Sequence, residues 1–366
     1  MFIKINNFQN HKYYMNLALK QAKINIGSTK KNPSVGCVIV KNKNVIGIGR
    51  TGINGTPHAE KNAINFCTNT LNNSILYSTL EPCIHYGKTP PCTNLIKLKK
   101  IKKVFFSIYD PDLRTHKQSE KILKRSGIKV SNGLLLKETK KLYKSYFKSK
   151  NQSLPFVTAK IAISKDYFTV NKKNKWITNN FSRGRVHLMR SQHDCILTSY
   201  KTIIKDNPML NCRIKGLESR SPDRIIIDKN LKIPINSKII QTSNKIPTII
   251  FYNKDNVKKI IKLKKLKVKL IKINTEKKNN FDLKKILLLI KKLGYSRIFL
   301  ESGVDLCSSF LILKLVNELQ VFISSKKINK LGAYKITNSI KKILNKKPTT
   351  NIVNLLGDDL KSYSIK

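Results

Sequence analysis

Four residues between positions 58 and 92 have the types and spacing of a catalytic metal centre. His58 and Glu60 stand two positions apart, and Cys83 follows Pro82, with Cys92 further along. One imidazole and two thiolates can hold a zinc ion whose fourth position is open, and such an ion lowers the pKa of a bound water from about 15.7 to about 7. A nearby carboxylate can carry the proton of that water to a leaving amine. The pattern predicts hydrolytic deamination of a nucleobase-type ring, with His58, Cys83 and Cys92 as ligands and Glu60 as proton shuttle.

Local sequence places these residues at the ends of regular elements. Pro57 suits the first helical position, and residues 58–66 form the predicted helix, with the histidine and the carboxylate on its first turn. A strand is predicted over residues 74–80, and a helix over residues 93–98 directly after Cys92. The alternative is that the cysteines are unrelated small hydrophobic residues and the histidine lies on the surface. That alternative does not explain the ordered combination of helix, strand and cysteine pair.

The spacing of the two cysteines departs from the general zinc-deaminase pattern. Eight residues separate Cys83 from Cys92, where that pattern has two, and Gly87 with Pro90-Pro91 supplies turns that fold the insertion back. Three runs resemble those of one family, namely NPSVG at 32–36, TLEPC at 79–83 and GKTPPC at 87–92. The family is that of the bifunctional riboflavin-biosynthesis deaminase-reductases. The resemblance implies a small phosphorylated pyrimidine as substrate, a diamino-pyrimidinone that carries a phosphoribosylamino group.

The charge of the chain suggests a different partner. The formal net charge is +53, from 73 Lys and Arg against 20 Asp and Glu, and such a balance is typical of nucleic-acid binding. Lysine, asparagine and isoleucine are frequent throughout, however, whereas a nucleic-acid surface would cluster cations with exposed aromatic residues on one face. The densest basic segment, residues 258–278, has apolar residues at spacings that suit elements with one solvated face. We therefore predict no nucleic-acid partner, and a nucleic-acid deaminase remains an alternative.

Length and cysteine usage set further limits. A chain of 366 residues suits two domains, and seven cysteines without regular spacing argue against a disulfide framework and favour a reducing compartment. The first residues lack the apolar core of a leader, and no apolar run is long enough to span a bilayer. These features predict a cytoplasmic protein with no membrane partner. A polar stretch over residues 148–153 reads as the linker between the domains.

The order of predicted elements gives an α/β fold class in both domains. In the first domain, predicted helices over residues 11–26, 118–126 and 135–147 alternate with buried strands, which favours a three-layer sandwich. In the second, a strand over residues 155–164 and six later apolar runs alternate with helices such as 306–316, which favours a largely parallel sheet. The resemblance implies a cytidine-deaminase-like first domain, residues 1–150, with zinc-dependent deaminase activity. It implies a dihydrofolate-reductase-like second domain, residues 151–366, with NADPH-dependent reductase activity.

The strand and turn at residues 297–303 form a candidate nucleotide site. Parallel α/β sheets bind nucleotides at the carboxyl ends of strands, and Glu301-Ser302-Gly303 lies between a predicted strand and a helix. A glycine there is as often simple turn chemistry. The family resemblance extends to this site and implies contacts of NADP with Ala162, Trp176, Thr202, Asp206, Lys229 and the backbone of Gly303, Val304, Asp305, Leu306, Cys307, Ser308 and Ser309. It implies substrate contacts for Asn174, Arg190, Leu210, Arg213 and Glu301, with Lys160 facing the same site.

The guanidinium groups of Arg190 and Arg213 suit the ribose phosphate, since they can bind it through paired hydrogen bonds. Solvated or ion-paired arginines are the alternative at both positions. Lys160, Asp206 and Glu301 are candidate polar groups for the reduction, and the sequence does not rank them.

Several reductase motifs depart from the family pattern. Residues 164–167 read SKDY where the family has SLDG, and Gly303 is followed by Val304 instead of proline. Residues 112–117 and 330–332 also differ from the family motifs. A reductase domain that has become a structural module is therefore a second alternative. The resemblance otherwise spans nearly the whole chain and implies a homo-oligomeric assembly.

Overall fold

The computed structural model describes residues 7–68, 70–87, 89–174, 176–275, 281–350, 353 and 355–365. Residues 1–6, Lys88 of the family motif and residues 276–278 of the basic segment lie outside the described residues. The chain divides into two compact units, Met1–Ser153 and Leu154–Lys366. Within the part of the chain that is described, no helix is both long enough and apolar enough to cross a bilayer.

The first unit is built on one five-stranded sheet. Its helices are α1 Asn7–Ile24, α2 Ala59–Phe66, α3 Cys92–Leu98, α4 Gln118–Arg125 and α5 Leu136–Asn151. Its strands are β1 Gly36–Lys41, β2 Asn44–Arg50, β3 Ile75–Leu80, β4 Lys103–Ile108 and β5 Lys129–Asn132. The strand order is β2-β1-β3-β4-β5, with β1 antiparallel to β2 and β3, and with β3, β4 and β5 parallel. This arrangement confirms the predicted cytidine-deaminase-like sandwich.

Alternation along the strands produces the three layers. Val38 and Tyr77 pack with α1 residues on one face of the sheet, whereas Ile39 and Leu76 pack with α2 and α3 residues on the other. On the second face, the helix that carries the histidine and the carboxylate lies very close to β2. A Cβ at Gly49 would come within 2.2 Å of the Ala59 carbonyl oxygen, so only glycine permits this approach.

The second unit contains seven helices and eleven strands among the described residues. Its helices are α6 Asn180–Arg190, α7 Tyr200–Asp206, α8 Lys238–Gln241, α9 Val257–Lys265, α10 Leu283–Lys292, α11 Val304–Ile312 and α12 Asn338–Leu344. Its strands are β6 Phe156–Ile163, β7 Phe168–Asn171, β8 Cys195–Ser199, β9 Asp223–Ile227, β10 Thr248–Tyr252, β11 Lys269–Lys272, β12 Arg297–Glu301, β13 Glu318–Ile323, β14 Gly332–Lys335, β15 Thr349–Thr350 and β16 Asp359–Ser364.

Nine of these strands form one sheet with the order β11-β10-β9-β8-β12-β6-β13-β16-β15. The pairs from β11 to β13 are parallel, and β16 adds antiparallel to β13. Alternate residues of the central strands enter two separate apolar cores, one on each face, so helices cover both sides. The predicted parallel sheet is confirmed. The antiparallel pair β7 and β14 forms a separate small sheet that the apolar pattern did not reveal.

Several boundaries predicted from sequence were wrong, and three of them are informative. Helix α2 begins at Ala59 with His58 as its N-cap residue, so Pro57 precedes the helix instead of opening it. Helix α5 continues to Asn151 and takes in most of the predicted linker, because the segment is polar but contains no helix breaker. Helix α11 runs from Val304 to Ile312, not over residues 306–316, since it begins directly after the Gly303 turn.

The turn at residues 164–167, where the sequence departs from its family, is tightly bonded. Asp166 accepts hydrogen bonds from the Ser164 hydroxyl at 2.6 Å and from the backbone nitrogens of Ile328 and Asn329 at 3.1 and 2.8 Å. Burial acts to raise the pKa of Asp166, but these three hydrogen bonds outweigh it and hold the pKa at about 2. Asp166 therefore holds this turn against residues 328 and 329, although Tyr167 stands where the family motif has glycine.

Candidate active sites

The start of α2 presents the first two side chains of the predicted deaminase site. His58 has an extended backbone, and Glu60 lies in the first helical turn, where a carboxylate interacts favourably with the helix dipole. The Glu60 side chain is buried against the sheet. Because α2 is held close to β2 at Gly49, the two side chains have a fixed position relative to the sheet.

The Cys83–Cys92 segment returns to the same place. The backbone nitrogen and the hydroxyl of Thr93 donate to the Cys83 carbonyl oxygen at 3.2 and 3.3 Å, and the Cys92 nitrogen donates to the Cys83 sulfur at 3.3 Å. Cys92 is the first residue of α3, so its sulfur lies at a helix N-terminus. The described residues between the two cysteines thus fold back toward the site, as the turn residues predicted.

One imidazole nitrogen and two sulfurs meet at this point. The Nδ1 atom of His58 lies 3.4 Å from the Cys83 sulfur and 3.5 Å from the Cys92 sulfur, and the three ligand atoms are all within 4.8 Å of one another. Contact with Cys92 lowers the pKa of the Cys83 thiol well below its usual range, while the same contact raises the pKa of Cys92. One nitrogen and two sulfurs, with a position left open, form a donor set that fits catalytic zinc.

Glu60 lies beside these ligand atoms and bonds to the sheet below. Its Oε2 atom is 3.4 Å from the Cys92 sulfur, and its Oε1 atom accepts a hydrogen bond from the Ser78 hydroxyl at 3.2 Å. Burial, and next the charge of Cys83, raise the pKa of Glu60. Ser78 was missed from the sequence. The sequence did contain a signal for it. Residues 76, 78 and 80 of β3 project from the same face, and Ser78 is polar where Leu76 and Leu80 enter the core.

Glu81, from the TLEPC run, anchors the loop next to the site. It is buried and accepts backbone hydrogen bonds from Asp110, Lys117 and Ser119 at 3.2, 3.0 and 3.2 Å. Burial raises the pKa of Glu81 to about 7, although these bonds act to lower it. Residues 112–117 depart from the family pattern, but Glu81 of the TLEPC run, which follows that pattern, holds the backbone at both ends of this loop.

The second site is built from strands that lie side by side in the large sheet. Glu301 of β12 pairs in register with Lys160 of β6, and Lys160 pairs with Gln320 of β13. Gln320 pairs in turn with Ser362 of β16 and accepts a hydrogen bond from its hydroxyl at 2.6 Å. Residues paired in register project from the same face, so a band of polar side chains crosses the centre of the sheet.

Helix α6 supplies the main partner of this band. Arg190 donates from Nε and Nη2 to the two oxygens of Glu301 at 2.9 and 2.8 Å, and from Nη1 to the Asn211 carbonyl at 2.9 Å. The Lys160 amine is 3.9 Å from the nearer Glu301 oxygen. Burial acts to raise the pKa of Glu301, but Arg190 and Lys160 outweigh it and hold the pKa at about 2. Burial lowers the pKa of Lys160, against the charges of Glu301 and Asp206.

The two arginines predicted to bind the phosphate differ in their surroundings. Arg190 is buried and ion-paired, which was the alternative considered for it, whereas Arg213 is exposed and donates one bond to the Asn211 side chain at 3.2 Å. His187, one turn before Arg190 on α6, was missed from the sequence. It lies 3.4 Å from the Arg190 Nη1 atom, and burial followed by the Arg190 charge lowers its pKa to about 4.

The remaining predicted substrate residues do not share one environment. Leu210 is buried in the apolar core beneath α6 and has a left-handed backbone. Asn174 lies on the surface and donates its backbone N–H to Asn171 at 3.1 Å. The structure thus brings together Lys160, Glu301 and Arg190, and does not bring Asn174 or Leu210 into contact with them through any bond within the described residues.

The predicted NADP residues lie mostly at the carboxyl ends of strands. Ala162 follows Lys160 on the same face of β6, Thr202 and Asp206 belong to α7 after β8, and Lys229 follows β9. Trp176 is about half exposed, with the Arg183 guanidinium 4.9 Å from its ring centre. In α11 the Cys307 side chain enters the apolar core, and the Ser308 hydroxyl bonds to Thr337 at 2.6 Å.

Two observations test the fit of a dinucleotide to this edge. Gly303 is the N-cap of α11 and has no side chain to cap the free N–H groups, and a Cβ built there would meet no described heavy atom within 4 Å. The Thr198 hydroxyl at the end of β8 is fully buried and lacks a hydrogen-bond partner among the described residues. Free backbone donors and an orphaned hydroxyl fit a phosphate-bearing cofactor.

Comparison with known proteins agrees with both sites. Residues 8–108 match the model for the cytidine and deoxycytidylate deaminase zinc-binding region, and residues 155–345 match the model for the RibD C-terminal domain. RibD of Aquifex aeolicus is 36% identical over 358 residues, which are 95% of this chain and 96% of that protein. The chain belongs to the RibD family. RibD of Escherichia coli K12 is 32% identical, with 86% of this chain and 87% of that protein covered.

Solved RibD structures have the same fold over both units. RibD of Acinetobacter baumannii superimposes with a TM-score of 0.84 at 27% identity, covering 98% of this chain and 99% of that one. A diaminohydroxyphosphoribosylaminopyrimidine deaminase/5-amino-6-(5-phosphoribosylamino)uracil reductase from Thermotoga maritima gives 0.82 at 27% identity, with 98% and 99% covered. The chain is therefore a bifunctional deaminase and reductase of riboflavin biosynthesis that uses zinc and NADPH. These findings favour that function over the nucleic-acid deaminase and the structural reductase module.

Proposed function

We propose that the chain deaminates 2,5-diamino-6-(5-phosphoribosylamino)pyrimidin-4(3H)-one and then reduces the ribosyl side chain of the product to ribityl. The first reaction is assigned to residues 1–150 and the second to residues 151–366. Both substrates are small phosphorylated pyrimidines of the riboflavin pathway. The predicted absence of a nucleic-acid partner, the homo-oligomeric assembly and the cytoplasmic location stay predictions.

In the deamination, His58, Cys83 and Cys92 would hold zinc, and Glu60 would move the proton. Bound zinc supplies a Lewis acid that makes water acidic enough to react near neutral pH. Glu60 takes a proton from the attacking water and gives it to the exocyclic amine, so that ammonia leaves and a carbonyl remains on the ring. One distance supports this assignment above all. The Oε2 atom of Glu60 lies 3.4 Å from the sulfur of Cys92, which is one of the three clustered candidate ligands.

In the reduction, Lys160 is the polar group best placed to bind the opened sugar. Bound NADPH supplies the two electrons and the hydrogen that carbon 1 of the sugar gains. The Glu301 carboxylate already accepts two hydrogen bonds from Arg190, whereas the Lys160 amine lies 3.9 Å from it, beyond hydrogen-bond distance. Lys160 can therefore donate a proton or hydrogen bond to the sugar oxygen. Glu301 and Arg190 fix the position of Lys160, and Arg213 binds the phosphate.

The assignment is tested with purified zinc-loaded protein, the pyrimidine substrate and NADPH. We expect ammonia release without NADPH, and NADPH oxidation only after deamination has occurred or when the deaminated pyrimidine is supplied. Zinc-loaded protein that releases no ammonia would contradict the deaminase assignment. Ammonia release with no NADPH oxidation on the deaminated compound would contradict the reductase assignment.

A further inference from the structure

Ser78 is a polar residue in an otherwise apolar stripe of the first sheet. It lies in β3 between Leu76 and Leu80, which belong to the core beneath α2 and α3, and it pairs in register with Cys37 of β1. Its side chain is fully buried. A serine hydroxyl in such a place costs free energy unless it has a hydrogen-bond partner, so the partner of Ser78 identifies what the residue does.

The partner is the carboxylate of Glu60. Ser78 Oγ donates to Oε1 at 3.2 Å, while the other oxygen, Oε2, lies 3.4 Å from the Cys92 sulfur. The two oxygens of one carboxylate therefore have different neighbours. One oxygen is bonded to the rigid central strand of the sheet, and the other faces the cluster of ligand atoms.

The hydroxyl becomes more important when the ligand cluster binds its metal. A cysteine that ligates zinc does so as a thiolate, which has no proton to donate. The Cys92 contact can then no longer restrain Glu60 by donating to it. Ser78 remains as a side-chain donor to Glu60 within the described residues, and serine keeps its proton at any pH at which the protein is folded.

We propose that Ser78 is a positioning residue for deamination, which holds Oε1 of Glu60 against β3 so that Oε2 faces the reacting water and amine. The proposal rests on the proposed deaminase function. Ser78 does not touch substrate or metal and acts only through the orientation of Glu60. A carboxylate that must accept a proton and deliver it to a second atom loses rate when its side chain can rotate away from both.

The test compares Ser78→Ala with a matched control, Ser107→Ala. Ser107 is also a buried serine, in the neighbouring strand β4, but its hydroxyl bonds to the Leu134 carbonyl and to Thr139, away from Glu60. For Ser78→Ala we expect the kcat of ammonia release to fall about tenfold, equivalent to about 1.4 kcal/mol. KM and zinc per chain should stay at the parental values, as should NADPH oxidation on the deaminated substrate. Ser107→Ala should retain the parental kcat.

Two further measurements separate positioning from a general packing defect. Ser78→Thr keeps the hydroxyl and should recover most of the rate, and Ser78→Cys, which keeps the size with a weaker donor, should lie between alanine and parent. In a Glu60→Gln background, Ser78→Ala should cause no further loss, because the hydroxyl acts through the carboxylate. Melting of the zinc-free Ser78→Ala and Ser107→Ala proteins should shift by similar amounts.

The outcomes distinguish this inference from the function on which it rests. A parental protein that binds zinc but releases no ammonia contradicts the proposed function. An active parent with an unchanged kcat in Ser78→Ala overturns the role of Ser78 alone. A kcat loss that parallels loss of zinc, or that persists in full in the Glu60→Gln background, overturns it as well.

Discussion

The two sites of this chain are assembled by different means. The deaminase site draws its proposed metal ligands and proton shuttle from residues 58–92, with three of the four at two helix N-termini and Cys83 in the loop after β3. The reductase site joins side chains from separate strands and a helix, and its central ion pair links Arg190 to Glu301 across 111 positions of sequence. The first site is compact in sequence, whereas the second exists only once strand order and register are set.

The difference predicts different effects of substitution at the two sites. In the deaminase site three residues are proposed ligands and one is the proposed proton shuttle, so we expect a change of residue type at any of them to remove its role. In the reductase site, Lys160, Glu301 and Arg190 constrain one another, so the surrounding turns can change while the network holds. The altered turn at residues 164–167, held by Asp166, is such a change.

The largest expected effect tests whether the deaminase site depends on one carboxylate. Glu60→Gln keeps the size of the side chain but removes its ability to shuttle a proton, and general acid–base catalysis contributes about 10²- to 10⁴-fold. We expect ammonia release to fall by a factor in that range, with zinc content unchanged. NADPH oxidation on the deaminated substrate serves as the control and should keep the parental rate. Ammonia release at the parental rate with zinc bound would remove the shuttle assignment.

The second prediction tests the mutual dependence of the reductase residues. Arg190→Met leaves the mostly buried Glu301 without its bidentate partner, and breaking a buried pair in this way costs about 3–5 kcal/mol. Trp176 is the one tryptophan of the chain and belongs to the second unit, so its fluorescence follows unfolding of that unit in urea. We expect an earlier transition and loss of NADPH oxidation, with ammonia release retained. Arg190→Lys, which keeps one charge, should lose less stability; equal losses would show that charge pairing is not the cause.

The third prediction concerns the pH dependence of the same pair. The pKa of Glu301 is about 2 in the folded protein against an ordinary value of 4.5, so the ionised carboxylate favours folding. Its contribution is present above pH 4.5 and is lost as the pH falls from about 4.5 to about 2, on the order of 3 kcal/mol in total. Urea unfolding followed by Trp176 fluorescence should show this loss in the parent. In Glu301→Gln, the slope of stability against pH in that range should be smaller; an equal slope would assign it to other acids.

The contrast between the sites also explains which features the sequence could predict. The candidate deaminase residues and the α/β class of both units follow from residue type, spacing and alternation, which are local properties. The ion pair between Arg190 and Glu301 depends on which strands are neighbours, and a single sequence does not give that. Ser78 was missed for a similar reason, since its importance comes from the helix that packs above it.

Boundary errors arose where local signals were ambiguous. The polar stretch after residue 147 has the composition of a linker and also the propensity of a helix, and the structure continues α5 to Asn151. Pro57 suits a first helical position, yet His58 takes the N-cap, and its side chain lies against both cysteines. In both places the local sequence allowed two outcomes, and composition alone did not choose between them.

The smallest expected effect separates the two arginines that were predicted to bind phosphate. Arg213 is exposed, with one bond to Asn211, so Arg213→Ala should leave folding intact and remove one charged contact to the substrate. We expect the KM of the reductase to rise about tenfold, for a charge-assisted hydrogen bond of about 1.5 kcal/mol, with little change in kcat. The parental KM should also rise with salt, and that dependence should weaken in the variant. Lys215→Ala, at an exposed position two residues away, is the control for general charge. An unchanged KM in Arg213→Ala would contradict this assignment. The phosphate contact would then be assigned to Arg190, and the ion pair between Arg190 and Glu301 would form part of the substrate site.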